Sequence, residues 1–255
     1  MISDETLQRH LATSYPDLRF SDFRNSPSMP THSRPLNFSQ AGKSTLLKLA
    51  AKSGDLQLVN TLLQNGADVN ASTKDSITPI FGAIQGRHAT VVEALVKILI
   101  ENGGNILTRN DDMDTLLHSA SENGQLEIVK FLLENGMDPN VLNNTEATPL
   151  HLASKEGRSE VVKTLIASGL ESLVQAVGIV NVRNSNGKTP LLCAVSNNNE
   201  SAVHFLLANK ADITVPDNEG NTCLHIAVTR ENENVAVFPL MKHEFSEKLR
   251  IFFTT

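Results

Sequence analysis

A repeat of about 33 residues constrains this chain more than any other feature of its sequence. A four-residue segment that begins with threonine occurs six times, at Thr45, Thr78, Thr115, Thr148, Thr189 and Thr222. Successive threonines are 33, 37, 33, 41 and 33 residues apart, and an alanine follows each of them after five residues. A fixed period of this length predicts a solenoid of stacked units, because one unit alone cannot bury its own apolar face.

The repeated segment has the form Thr-Pro-Leu-His, which is complete at residues 148–151. It resembles the ankyrin repeat, whose signature is Thr-Pro-Leu-His-x-Ala on a period of 33 residues. The resemblance covers about residues 42–237 and implies an all-α ankyrin-repeat solenoid of helix-turn-helix units with short hairpin-like turns. The predicted repeats are 42–74, 75–111, 112–144, 145–185, 186–218 and a degenerate 219–237.

The repeated polar residues have structural explanations. We expect the motif threonine to begin the first helix of each unit and to cap its free N–H groups, as at Thr78, Thr115, Thr148, Thr189 and Thr222. The resemblance implies that His118, His151 and His225 tie neighbouring repeats together by hydrogen bonds. A metal-binding or catalytic role is the alternative, but no partner acid accompanies these histidines. Cys193 and Cys223 are interpreted as small core fillers.

Two insertions lengthen the period. The second repeat has four extra residues within residues 95–103, which predicts a second helix one turn longer. The fourth repeat has eight extra residues within 170–178, with Leu170, Leu173, Val174 and Val177 at helical spacing. This predicts a short extra helix, which is either a neutral length variation or a projection that helps to select a partner.

The two ends differ in composition from the repeats. Residues 1–41 contain four prolines and many polar residues, which predicts a tail with at most one short helix. The tail is either a bland extension or the carrier of a linear motif or transport signal. Residues 238–255 are predicted to cap the array, and a chain truncated from something longer is the alternative.

Gly42, Lys43 and Ser44 resemble the end of a nucleotide-binding loop. That loop requires an earlier glycine, where this chain has Asn37, and it must follow a buried strand. Three prolines in residues 25–38 are incompatible with such a strand. Nucleotide binding is therefore only a remote alternative, and we expect no cofactor, no metal and no enzyme activity.

The overall composition excludes several classes of partner. The net charge of −6, from 22 basic and 28 acidic residues, disfavours nucleic-acid binding. No apolar run is long enough to span a membrane, so we expect no membrane insertion. Two cysteines in the chain favour a reducing, cytoplasmic location. If the protein is an effector delivered by an intracellular bacterium, the host cytosol or nucleus is expected instead.

The resemblance implies a monomeric scaffold or adaptor that binds another protein on the concave face of the stack. A delivered effector that binds a host protein is the alternative. The candidate contacts lie at the turn tips, namely Thr73, Lys74, Asp75, Arg109, Asp111, Asp112, Asn143, Asn144, Glu146, Asn184, Asn186, Asp217 and Glu219. The tips where the third and sixth repeats begin are acidic, with Asp111 and Asp112 in one and Asp217 and Glu219 in the other. A partner with a polar or basic surface is therefore favoured.

Asn70 has a sequence context of its own. Leu62 lies eight residues before it, and Asp68 and Val69 precede it directly. This resembles the pattern that an asparaginyl hydroxylase accepts in ankyrin turns, so Asn70 is a candidate modification site. Asn140 and Asn181 match the pattern less well. The alternative is that the turn itself favours asparagine.

Overall fold

The chain is built from paired helices. The computed structural model describes residues 40–72, 78–101, 106–168 and 179–229. The helices in these ranges are α1 (Gln40–Ser53), α2 (Leu56–Gln64), α3 (Pro79–Gln85), α4 (Ala89–Glu101), α5 (Leu116–Glu122), α6 (Leu126–Glu134), α7 (Pro149–Lys155), α8 (Ser159–Ser168), α9 (Pro190–Ser196), α10 (Glu200–Ala208) and α11 (Cys223–Thr229). No strand occurs in the described ranges, where the only β-type pairing is one bridge between Arg109 and Thr115. The prediction of an all-α repeat fold is confirmed.

The helices fall into two compact units, a first unit of Met1–Ile106 and a second unit of Leu107–Thr255. In the first unit, α1 packs against α2 and α3, and α3 packs against α4. In the second unit, the first helices of successive repeats form a row, with α5 against α7, α7 against α9 and α9 against α11. The second helices α6, α8 and α10 form a parallel row behind them.

The core of each unit follows the apolar periodicity of the sequence. The valine fourteen residues after the motif threonine is fully buried in five repeats, at Val59, Val92, Val129, Val162 and Val203. Leu62, Leu132 and Leu206 are buried beside it. Leu133, which follows Leu132 directly, is only half-buried. Apolar side chains therefore join each second helix to its neighbours in the same unit.

The motif threonine stands at the start of the first helix in most repeats. Thr115 Oγ1 accepts a hydrogen bond from the N–H of His118 at 3.4 Å, and Thr189 Oγ1 accepts one from Leu192 at 3.2 Å. The first repeat differs, because Thr45 lies inside α1, five residues after Gln40, and donates to the carbonyl of Ala41. The expectation that this threonine begins its helix is wrong for that repeat.

The insertion in the second repeat lengthens a helix. α4 has 13 residues, whereas α2 at the same place in the first repeat has nine. Four residues are one helical turn, so this prediction is confirmed. The extra helix expected within 170–178, the tail and the C-terminal cap lie outside the described residues.

Asparagine side chains end many of the helices. Five asparagines donate through Nδ2 to the carbonyl four residues earlier, over 2.7–2.9 Å, at Asn65, Asn123, Asn135, Asn197 and Asn209. The last carbonyls of a helix have no partner within the helix, and these amides satisfy one of them. The repeated asparagine was visible in the sequence, but its role as a cap was not predicted.

Candidate functional site

The turns between repeats share one construction in the second unit. We call them fingers, and they comprise residues 110–114, 143–147, 184–188 and 217–221. In each finger the first residue donates its backbone N–H to the carbonyl of the fifth, over 2.9–3.1 Å. The N–H of the fourth residue returns to the carbonyl of the first, over 2.8–3.1 Å. Each finger is thus a closed hairpin turn.

The first residue of each finger is asparagine or aspartate, and its side chain stabilises the turn. Asn143 Oδ1 accepts from the N–H groups of Thr145 and Ala147, both at 3.0 Å. Asn184 and Asp217 make the corresponding pairs of bonds over 2.8–3.1 Å. Asp217 is only 6% exposed. The sequence predicted that Asn143, Asn184 and Asp217 contact a partner. In the structure, their side chains accept hydrogen bonds from backbone N–H groups of their own turn.

Successive fingers are joined to one another by backbone hydrogen bonds. The N–H of Asn144 donates to the carbonyl of Asp112 at 3.0 Å. The same bond recurs from Ser185 to Thr145 at 2.9 Å and from Asn218 to Asn186 at 3.1 Å. The four fingers therefore form one hydrogen-bonded edge along the second unit.

Several finger side chains remain available at this edge. The exposed candidates from the sequence are Asp111, Asp112, Asn144, Glu146, Asn186 and Glu219. Arg109 differs, because its Nη1 donates to the carbonyls of Met113 and Leu142, both at 2.8 Å. Its guanidinium joins two fingers. Thr73, Lys74 and Asp75 lie outside the described residues.

Buried histidines connect the fingers to the helices behind them. His118 Nε2 lies 2.9 Å from the carbonyl oxygen of Ala147 in the next repeat. His151 Nε2 lies 3.1 Å from the carbonyl of Val182 and 3.0 Å from that of Lys188. In both cases Nδ1 meets the hydroxyl of the motif threonine, at 2.9 and 2.8 Å. These are the inter-repeat bonds that the family resemblance implied.

The two histidines are neutral in the folded protein. Burial lowers the pKa of His151 to about 4. Burial also lowers the pKa of His118, against the opposing effects of the Ala147 carbonyl and the nearby Asp114 carboxylate. Because Nε2 faces carbonyl oxygens, the single proton of the neutral ring lies on Nε2. His225 is exposed, and its Nδ1 lies 2.8 Å from the hydroxyl of Thr222.

A second set of inter-repeat bonds was not predicted. Arg158 Nε donates to the carbonyl of Glu122 at 3.0 Å, and Asn199 Nδ2 donates to those of Ser154 and Lys155 at 2.9 and 2.6 Å. Each donor lies ten residues after a motif threonine and covers the end of the previous repeat's first helix. A glycine nine residues after the motif threonine of the previous repeat is the sequence feature that could have indicated these bonds. Gly124 is an example, because its lack of a side chain leaves room for Arg158.

Acidic side chains surround the first and second fingers. Burial raises the pKa of Glu122 on α5, and the carboxylates of Asp114, Glu156 and Asp112 add to this rise. Lys155 opposes it, but its amino group also lies 3.3 Å from Glu156. Burial is the largest cause of this rise, and the three carboxylates are smaller ones.

Gly42, Lys43 and Ser44 lie within α1 and form no loop. Lys43 Nζ donates to the carbonyl of Asn65 at 2.8 Å, at the end of α2. Ser44 Oγ donates to the carbonyl of Gln40 at 2.9 Å. A phosphate-binding loop presents these residues from a glycine-rich loop, whereas here they belong to a helix and the Lys43 amino group bonds a carbonyl. The segment therefore resembles a nucleotide-binding loop in sequence but not in structure.

Asn70 lies in the turn after α2, and its side chain is exposed. Its backbone N–H donates to Asp68 Oδ1 at 2.9 Å. Asn181, in the corresponding place, instead uses its Oδ1 to accept from the N–H of Asp212 at 2.7 Å. Hydroxylation of Asn70 stays a prediction.

In the part of the chain that the structure describes, no group of three or more histidine, cysteine, aspartate or glutamate side chains is arranged to hold a metal ion. Among the same residues, no helix has the length and apolar character needed to cross a bilayer.

Comparisons with known proteins agree with this geometry. A sequence profile described as "Ankyrin repeats (3 copies)" matches residues 47–143, 93–176 and 168–244. The Homo sapiens protein "Transient receptor potential cation channel subfamily A member 1" is 25% identical over 193 residues, which are 76% of this chain and 14% of that protein. The chain thus spans a small part of this relative.

A solved structure shows the same fold. A chain in the structure of the Bd0816 predatory endopeptidase from Bdellovibrio bacteriovorus, in complex with the immunity protein Bd3460, matches with a TM-score of 0.64 at 24% identity. The match covers 76% of this chain and 95% of that chain. With the profile matches running from residue 47 to residue 244, this chain belongs to the ankyrin-repeat family.

Proposed function

We propose that this protein is a non-catalytic scaffold or adaptor that binds a partner protein along the fingers of its second unit. The observation that carries the proposal is the hydrogen-bonded edge formed by the four fingers. Backbone bonds hold this edge, so the exposed side chains at its tips are not needed to maintain it. A rigid backbone has little conformational freedom left to lose on binding, which favours recognition.

The charge of the fingers indicates the kind of partner. Asp111 and Asp112 are exposed at the first finger, and Glu146 is exposed at the second. A partner surface rich in lysine and arginine is complementary to this face and would associate faster at low salt.

The proposal covers two biological settings. A resident adaptor and an effector delivered into a host cell would both act by binding, and neither requires a reaction at the fingers. Identification of the bound protein distinguishes the two settings, because an effector must bind a protein of the host cell.

The test is affinity capture from a eukaryotic cell lysate with the full chain as bait, followed by mass spectrometry. The wild-type protein is compared with the double charge reversal Asp111→Lys and Asp112→Lys. A matched control carries Glu134→Lys and Glu200→Lys, two exposed positions in α6 and α10 that change the net charge by the same amount.

We expect the finger reversal to lose captured proteins that the wild type and the control both retain. The binding of those proteins should weaken as salt rises, because exposed charges are screened over about 8 Å at physiological ionic strength. Equal capture by all three baits would contradict binding at the fingers.

A further inference from the structure

Two exposed apolar residues, Met113 and Leu142, lie at the junction of the first and second fingers. Within the described residues, the large exposed hydrophobic side chains are Ile100, Leu107, Met113 and Leu142. Met113 is 47% exposed and Leu142 is 44% exposed. Arg109 Nη1 bonds the carbonyls of both residues, so their backbones meet at one guanidinium. Leu107, which is 53% exposed, precedes Arg109 by two residues.

Met113 occupies a position where a side chain is unfavourable. It is the fourth residue of its finger and has a φ of 59°. The fourth residue of the second finger is Glu146, with a φ of 55°, and those of the last two fingers are Gly187 and Gly220, with φ of 74° and 83°. Glycine adopts this left-handed conformation without steric cost, and a long side chain does not. The turn therefore does not require methionine, and strain of this kind is often retained for function.

Leu142 is also particular to this junction. It lies six residues before the motif threonine, and the later repeats have Arg183 and Pro216 at that place. An apolar side chain is therefore not needed at this position to build a finger. Leu142 and Met113 together form an exposed apolar pair that the repeat pattern does not account for.

Acidic side chains border the apolar pair. Asp111 and Asp112 are exposed directly before Met113, and Glu146 is exposed four residues after Leu142. The positive charge of Arg109 is directed to two carbonyl oxygens of the fingers. The junction thus offers apolar area at its centre and negative charge at its rim, which is the usual arrangement of a protein interface.

From this arrangement we infer that the apolar junction formed by Met113 and Leu142 binds a partner segment with a large apolar residue flanked by lysine or arginine. This inference rests on the proposed function and names the chemistry of its partner. The apolar residue would cover Met113 and Leu142, and the basic residues would lie against Asp111, Asp112 and Glu146. The apolar contact would supply most of the affinity, and the charges would supply orientation and salt dependence.

The test selects short random peptides displayed on phage against the immobilised full chain. An enriched peptide is then synthesised with a fluorescein label, and its affinity is measured by fluorescence anisotropy. The key variant is Met113→Gly with Leu142→Ser. Glycine is the residue found at this place in two other fingers, so the variant keeps the turn while removing the apolar surface. Ile100→Ser in α4 is the control, because Ile100 is 49% exposed and belongs to the first unit.

We expect the enriched peptides to combine a large apolar residue with net positive charge. The double variant should lose ~10-fold or more in affinity, the range of an interface hot spot. The control should retain wild-type affinity. Enrichment of acidic or purely polar peptides, or unchanged binding by the double variant, would overturn the inference.

The charge reversal at Asp111 and Asp112 separates this inference from the proposed function. If the reversal abolishes binding and the Met113–Leu142 variant does not, the fingers bind a partner but the apolar pair is not its anchor. If neither change affects binding, both proposals are wrong. Sedimentation of the wild type as a dimer, with the Met113–Leu142 variant as a monomer, would show that a second copy of the chain covers the junction, and would overturn the inferred partner.

Discussion

The two units hold neighbouring repeats together in different ways. In the second unit, His118 and His151 bond the carbonyls of the next repeat. In the first unit, the corresponding positions are Lys48 and Phe81, and neither offers an imidazole. There, α1 and α3 approach closely through Gly86, where any Cβ would collide with the carbonyl oxygen of Lys52.

The difference teaches that the histidine of the motif is one of several means of joining repeats. Phe81 is almost fully buried, so an apolar ring occupies the place that a buried imidazole has in two repeats of the second unit. With phenylalanine at position 81, the hydroxyl of Thr78 has no imidazole to bond. Its Oγ1 is buried and has no hydrogen-bond partner among the described residues, whereas Thr148 Oγ1 meets His151. Buried polar atoms without partners destabilise a fold.

The largest expected effect tests what the two units have in common. Leu132→Ala in α6 and Leu62→Ala in α2 both truncate a buried leucine of a second helix. Each should cost ~2–5 kcal/mol, since both remove apolar contacts and leave a cavity. Hydrogen exchange with mass spectrometry reads the opening free energy of peptides from each unit. A cost below ~0.5 kcal/mol at either position would mean that the repeat register is wrong there.

The second prediction is that the stability of the second unit, where His118 and His151 are buried, depends on pH. His151 has a pKa of about 4 when folded, against 6.5 for an ordinary histidine. The unfolded chain therefore binds the proton more readily, and the stabilisation is complete above about pH 6.5 and is lost as the pH falls towards 4. The loss from this group is ~3 kcal/mol at most. His118 acts in the same direction.

Hydrogen exchange between pH 6.5 and 4 measures this loss in peptides of the second unit. The variant His151→Ala should be less stable at neutral pH and should show a shallower loss on acidification. His204→Ala, which removes an exposed histidine of α10, is the control. An unchanged pH profile in His151→Ala would contradict the prediction.

The third prediction breaks the close contact of the first unit. Gly86→Ala should destabilise that unit by ~1–3 kcal/mol, because the added methyl group must displace α1 from α3. Gly82→Ala is the matched control, since its methyl group would lie 3.3 Å from the carbonyl oxygen of Lys48 and require a smaller shift. Thermal unfolding followed by circular dichroism compares the two. Equal melting temperatures for both variants would show that the contact at Gly86 is not tight.

The fourth prediction makes one substitution at equivalent places in the two units and expects opposite signs. Thr78→Val should stabilise the first unit by ~0.5–1.5 kcal/mol, because it replaces a buried hydroxyl without a partner by a methyl group. Thr148→Val should destabilise the second unit by a similar amount, because it removes the hydrogen bond to His151. Chemical denaturation of both variants measures the difference. The same sign for both would remove the distinction drawn between the units.

The smallest effect concerns Lys43. Its amino group bonds the carbonyl of Asn65 at the end of α2. Lys43→Ala should cost ~0.5–1 kcal/mol, whereas Lys130→Ala, which removes only a surface pair with Glu127, should cost less. Calorimetric titration with ATP should show no binding to the wild type. Micromolar ATP binding that is lost in Lys43→Ala would restore the nucleotide alternative.

Much of the fold could be predicted from the sequence, and less of the candidate site. The threonine spacing predicted the repeats, and four extra residues predicted the longer α4. For Asn143 and Asp217 the sequence indicated a turn tip but not which way the side chain points. Both look like surface residues in the sequence, and both are engaged within the turn. The direction of a polar side chain depends on backbone groups that the repeat pattern does not describe.

The sequence by itself determined that this protein is a stack of paired helices, because a helix and its apolar face depend on residues three and four apart. Only the tertiary structure decided how the repeats are joined. His118 bonds a carbonyl 29 residues away, and Asn199 bonds one 45 residues away. It also decided that Met113 and Leu142 meet at Arg109, since that contact spans 33 residues of chain. The physical reason is that such contacts depend on where the stacked backbones come to lie, which no local pattern specifies.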